Sequence, residues 1–131
     1  MLPGPSAVLG LPRSRRIKQG RDFDRARARG RRVVEGCMIV NWLPSPAGVL
    51  TRLGVITSRK LGNAVVRSRA RRLLRECYRL HQLDLAQPVD LVLVARSSIV
   101  GRSFGEVEHD FLKALRRAKL VASSSGASST A

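Results

Sequence analysis

Residues 60–79, KLGNAVVRSRARRLLRECYR, decide how this chain is read. Placed at about 100° per residue, Val66, Ala70, Leu73, Leu74, Cys77 and Leu80 fall on one side of a helix. Ser68, Arg71, Arg72, Arg75 and Arg79 fall on the opposite side, with Arg67 on its flank. Asn63 stands at the N-cap position, where its side-chain oxygen can accept from a backbone N–H that has no partner inside the helix. Arg67, Arg71, Arg75 and Arg79 follow one another at four-residue intervals, and Glu76 is the one acid of the segment. Like charges one turn apart destabilise a helix, and solvated faces ordinarily mix signs. The pattern predicts a helix that packs on a sheet through its apolar stripe and meets a polyanion through its arginines.

The rest of the chain carries the same bias. Its 131 residues hold 25 Lys and Arg against 9 Asp and Glu, a formal net charge of +16, with a sequence pI of about 11.8. Such charge points to nucleic acid or an anionic membrane surface. The apolar fraction, 44%, is that of a globular chain rather than a basic tail. No apolar run approaches the ~20 residues of a membrane span, and the start, Met1-Leu2-Pro3-Gly4-Pro5, lacks the basic n-region of a secretory signal. Nucleic acid is therefore the expected partner, with no membrane and a cytoplasmic location. Cys37 and Cys77 sit in apolar contexts, with no Cys-x-x-Cys and no Cys/His cluster, so they read as buried thiols rather than zinc ligands.

Around the central segment the elements are legible. GRDFDRARARG reads as a short helix capped by Gly20 or Asp22 and stopped by Gly30. A short strand is expected at 32–34. CMIVNWL and LTRLGVITS read as strands, and the PSPAGV between them as a turn, which predicts that those two strands form an antiparallel hairpin. VDLVLVA is apolar almost throughout, as a strand inside a sheet should be. In the last helix Ser103 and Glu106 have the spacing of a capping box. The expected fold is α+β, a small sandwich of a mostly antiparallel four-stranded sheet with three helices in the order α-β-β-β-α-β-α. One domain is expected over residues 13–121, after a Pro/Gly-rich lead-in at 1–12 and before a disordered Ser-rich tail at 122–131.

Most of the cationic residues fall into two clusters. One runs from Arg13 to Arg32; the other comprises Arg59, Lys60 and the arginines of the central helix. Lysine occurs only at 18, 60, 113 and 119. Arginine bonds phosphate through a planar fork and stacks on bases, which lysine does not. The central helix has few Asn or Gln to read base edges in a DNA groove, so backbone and shape recognition of structured RNA suits it better.

GNAVVRSRARRLLRE, residues 62–76, resembles the signature of the protein subunit of bacterial ribonuclease P, Gly-Asn-Ala-Val-x-Arg-Asn-x-x-Lys-Arg-x-x-Arg-Glu. Gly62, Asn63, Ala64, Val65, Arg67, Arg72, Arg75 and Glu76 match in register; Arg71 replaces a lysine and Ser68 an asparagine. GVITSRKLGN, RIKQGRDFDRARARGRRV, and DLVLVAR followed by SFGEVEHDF resemble further parts of the family, so the likeness spans about residues 13–120. It implies a left-handed βαβ crossover through the central helix. It also implies the role of protein subunit in a ribonucleoprotein that removes the 5′ leader of precursor tRNA. The catalytic RNA is implied to carry the chemistry, with Mg²⁺ held mainly by that RNA, no metal site on the protein and no obligate protein partner. By position, Asn63, Arg67, Ser68, Arg71, Arg72 and Arg75 are implied to face the RNA subunit. Phe23, Arg27, Asn41, Arg59, Lys60 and Arg96 are implied to line the path of the single-stranded leader, with Phe23 stacking a base. Arg27 stands where the family often has a second Phe, and Asn41 where it often has a Tyr. Trp42, one place on, points to the other face of its strand and reads as core.

Two other classes are weighed against this. An rRNA-binding module of the ribosomal-protein type fits the charge but not the motif. A self-sufficient nuclease needs a carboxylate cluster for metal or an acid/base pair. Asp22 and Asp24 among arginines read as local charge balance, and neither histidine has a partner at recognisable spacing.

Overall fold

A computed structural model describes residues 16–17, 20–46 and 48–121; the expected lead-in at 1–12 and tail at 122–131 lie outside them. Its elements are α1 (Gly20–Arg29), β1 (Arg31–Glu35), β2 (Met38–Pro44), β3 (Arg52–Ile56), α2 (Ala64–His81), β4 (Val89–Ala95) and α3 (Phe104–Arg117). The order is the expected one. Asn63 caps α2 by accepting from the Val66 N–H at 3.1 Å. Ser103 and Glu106 form the reciprocal capping box of α3. The first helix begins at Gly20, so Gly20 and Asp22 lie inside its first turn and neither is the cap. Asp22 there favours the positive helix end.

The four strands lie in the order β1-β2-β4-β3. This corrects the expected hairpin: β2 and β3 do not pair with each other. β4 lies between them, antiparallel to β2 and parallel to β3, and the one hairpin among the described residues is β1–β2. The reason is hydrophobic. Val89, Leu91, Val92 and Leu93 are all fully buried, so β4 needs cover on both faces and takes the centre. The parallel β3–β4 pair is joined by α2.

Strand alternation sorts the side chains into two layers. Val40 and Trp42 of β2, Leu53 of β3, and Leu91, Leu93 and Ala95 of β4 join Leu74, Cys77 and Tyr78 of α2 and Phe111 and Leu115 of α3 in one core. The opposite face holds a smaller cluster, Ile17, Ala26 and Val92, with Phe23, Ile56 and Val94 packed on it under α1. Trp42 is buried in the first core, as read. Tyr78 is buried there too, whereas Leu80, expected on the buried stripe, is 37% exposed at its rim. Cys37 and Cys77 are free and buried, and burial pushes each thiol up to about 12.

Polar locks hold the layers in register. Asp110 of α3, itself buried, accepts from the Cys37 N–H at 3.0 Å. It sits where a side chain at Gly36, whose φ is +54°, would have to go. His81 lies between Asp84 (Nδ1 to Oδ2 3.3 Å) and Glu108 (Nε2 to Oε2 2.8 Å), fastening the end of α2 to α3. The histidine therefore has partners; Glu108 is distant in sequence, which is why spacing did not reveal it. On the other face Arg52 donates to both oxygens of buried Asp90 at 3.0 and 2.8 Å and reaches Asp22 of α1 at 3.5 Å.

Candidate RNA-binding faces

The outer side of α2 carries the charge that its sequence promises. A shallow groove of about 450 Å³ runs along it, lined by Ser68, Arg71, Arg72, Arg75 and Arg79, with Glu76 the one carboxylate. Arg16, from the segment before α1, completes the lining. The Ile17 N–H donates to the Leu53 carbonyl at 2.7 Å and fixes that segment beside β3. Burial, with the guanidiniums of Arg16 and Arg71 close by, holds the Arg75 pKa below the ordinary arginine value. Cations crowded in this way are relieved by an anion, not by water alone.

The arginines of the row differ in their bonding. Arg79 is spoken for: its guanidinium donates to both oxygens of Glu76, at 2.9 and 2.6 Å. Arg71 donates to Thr57 Oγ1 at 2.8 Å and Ser68 Oγ at 3.1 Å, which braces it between the end of β3 and its own helix. The side chains of Arg67 and Arg72 make no hydrogen bond or ion pair among the described residues, so their forks are available to a ligand. Asn63, expected on this face, is occupied with capping. Ser68, which stands in the place of an asparagine, orients Arg71.

The second face is the α1 side of the sheet. Register sets Arg32 opposite Asn41, Asn41 opposite Val92, and Val92 opposite Gly54, one row across all four strands. Phe23 lies against the Gly54 end of this row, where any Cβ would collide with its ring. At the other end an open groove of about 400 Å³ is lined by Arg27 of α1 and Asn41 of β2, together with Asp24, Arg32, Ile39 and Val94. The structure thus brings Arg27 and Asn41 together and sets Phe23 apart from them, packed into the small cluster under α1. Arg59, Lys60 and Arg96 do not line this groove. Arg59 and Lys60 are exposed on a 3-10 turn after β3, and Arg96 follows β4. The parallel β3–β4 pairing puts all three at one end of the sheet, where Arg96 also donates to the Gly36 carbonyl at 3.0 Å.

Sequence assigned Arg16, Arg32 and Asp24 to neither face: the two arginines read only as members of a basic cluster and Asp24 as local charge balance. Arg16 meets α2 only through tertiary structure, and Arg32 joins Asn41 only through strand register. The period-2 pattern of β1 and β2, once paired, is the one signal that could have placed Arg32.

Comparison with known proteins agrees with this architecture. The family model described as Ribonuclease P matches residues 11–119. The ribonuclease P protein component of Desulfovibrio desulfuricans is 40% identical over 110 residues, covering 82% of this chain and 85% of that one. That of Clostridium novyi is 33% identical, covering 84% and 98%. Among solved structures, the Staphylococcus aureus RNase P protein superposes with a TM-score of 0.75 at 28% identity, covering 82% of this chain and 97% of that one. On the match of the family model across most of its length and the identity of these relatives, the chain belongs to the ribonuclease P protein family.

Proposed function

We propose that this chain is the protein subunit of a ribonuclease P that removes the 5′ leader of precursor tRNA, and that its two basic faces divide the work. The arginine groove on α2 docks the RNA subunit. The groove between α1 and the sheet takes the single-stranded leader, with Arg59, Lys60 and Arg96 at the end of the sheet along its path. The observation that carries this reading is the convergence of Arg16, Arg71, Arg72 and Arg75 on one groove with a single, already paired carboxylate. Guanidiniums so placed neutralise phosphates of a folded RNA and release its counterions. They also lower the charge that Mg²⁺ would otherwise have to screen, so less Mg²⁺ is needed.

Family resemblance implies Mg²⁺, and the described residues do not fit it as a protein-held metal. Among the described residues no group of three or more His, Cys, Asp or Glu is arranged to hold an ion. Of the acids near the two faces, Asp22 is engaged by Arg25 and Arg52 and Glu76 by Arg79, which leaves Asp24 as a single carboxylate with no second acid beside it in its groove. In this reading the metal and the bond cleavage belong to the RNA. The protein positions the substrate and screens charge. No helix among the described residues is long and apolar enough to cross a membrane.

Single-turnover cleavage of a precursor tRNA by a bacterial ribonuclease P RNA at low Mg²⁺, with and without this protein, tests the proposal. Restored cleavage at the correct 5′ site, and none when the RNA is omitted, is the expected result. Tight RNA binding without any restored cleavage would point instead to an rRNA-binding module.

A further inference from the structure

The groove under α1 is equipped to read a base, not merely to hold a backbone. It has no aromatic lining, since Phe23 is packed at the far end of the row against Gly54. A base entering it lies against the aliphatic Ile39 and Val94 and the guanidinium planes of Arg27 and Arg32. Two features go beyond a phosphate site. Asn41, only 4% exposed, lines the groove and brings to it an amide able both to donate and to accept. Asp24 lines the same groove and forms no ion pair among the described residues, although Arg27 and Arg32 line it too.

A carboxylate in a groove for RNA repels phosphate, so its presence is a cost unless the ligand brings donors to it. Among the four bases guanine alone presents two adjacent donors, N1–H and the N2 amino group, which match the two oxygens of a carboxylate. Its other edge presents two adjacent acceptors, O6 and N7, which match an arginine fork. Adenine would set its N1 acceptor against Asp24. Uracil flanks its single N–H with two carbonyls, and cytosine offers one amino group beside two acceptors.

We propose that this groove selects guanine at one position of the leader. Asp24 accepts from its Watson–Crick edge, Arg27 or Arg32 donates to O6 and N7, and Asn41 supplies the remaining amide contact from the floor. The inference rests on the reading of this groove as the leader site and adds base specificity to it.

The test uses the reconstituted holoenzyme and precursor tRNAs that differ by one leader base at a time, with a leaderless tRNA as reference. At one position guanine should bind about tenfold tighter than the other three bases, the scale of one good bidentate contact. Inosine, which lacks the N2 amino group, should fall between, and 7-deazaguanine should lose the arginine share. Asp24→Asn should bring guanine down to the level of the other bases, whereas loss of a merely structural residue would weaken all four equally. Equal binding of all four bases at every position, with the leader still adding affinity over leaderless tRNA, overturns the guanine site and leaves the leader groove standing. No added affinity from any leader overturns both.

Discussion

The two faces of the one sheet are built on opposite terms. Beneath α2 and α3 the sheet buries a continuous core from Cys37 to Leu120, and the one buried carboxylate at its edge among the described residues, Asp110, is tied to the Cys37 N–H. Beneath α1 the fully buried apolar residues among those described are Ile17, Ala26 and Val92, and an ion-pair cluster, Arg52 with Asp90 and Asp22, stands in for more of them. The thick side holds the fold together and leaves the outer face of α2 free to carry charge. The thin side leaves room for a groove. Stability and binding are therefore separable on α2, where they occupy opposite faces of one helix, and entangled on α1, where one short helix does both.

The contrast breaks most visibly in the core. Phe111→Ala should cost about 3–5 kcal/mol in denaturant unfolding, the usual range for a large aromatic deleted from a packed interior. A loss below about 1 kcal/mol would mean the α3 layer is not packed as described. On the thin side, Arg52→Ala leaves the Asp90 carboxylate buried without its partner. We expect a loss of about 2 kcal/mol, less than for a fully buried pair because the Arg52 side chain is 27% exposed. The same change should weaken leader binding, because Arg52 also tethers α1 through Asp22. Unchanged leader affinity would separate the two functions of that face.

Smaller effects sharpen the picture. Asn63→Ala should cost about 1 kcal/mol through loss of the α2 cap, visible as a lowered Tm. Both thiols should resist alkylation at pH 8 until the chain unfolds, since burial holds Cys37 and Cys77 at about 12. The smallest effect concerns Glu35. The hydrogen bond from Arg117 holds its carboxyl below the usual range, with the charges of Lys113 and Arg117 assisting. A lowered folded pKa means the contribution is present above the unfolded value of about 4.3 and lost as pH falls through the folded one. Glu35→Gln should therefore flatten the acid limb of the stability curve by a few tenths of a kcal/mol, because Arg117 is half exposed and screened.

The same division explains what could be read from sequence. Helix caps are local, so Asn63 and Ser103 were legible. Alternation is local, so Asn41 and Trp42 fell on opposite faces as expected. Strand order is not local. CMIVNWL and LTRLGVITS looked like a hairpin because a turn joins them, yet the wholly apolar β4 requires two neighbours and takes the place between them. Tyr78 escaped notice because a phenol reads as a surface group, although it follows Leu74 by one turn and is as deeply buried. On the α2 face five arginines and Ser68 were named from the helix alone, while Arg16 arrives from a segment that only the Ile17–Leu53 bond places. The α1 groove was half legible. Arg27 and Asn41 converge there; Phe23, Arg59, Lys60 and Arg96 do not line it.

The central claim is that the arginine face of α2 binds RNA by charge and contributes little to the fold. It is tested most directly by Arg72→Gln/Arg75→Gln, with affinity for a bacterial ribonuclease P RNA measured across a range of salt. The account predicts a slope of log affinity against log salt that is smaller by about 2, one phosphate contact per arginine. Unfolding free energy should stay within about 0.5 kcal/mol of the parent protein. An unchanged slope, or a protein that no longer folds, would contradict it.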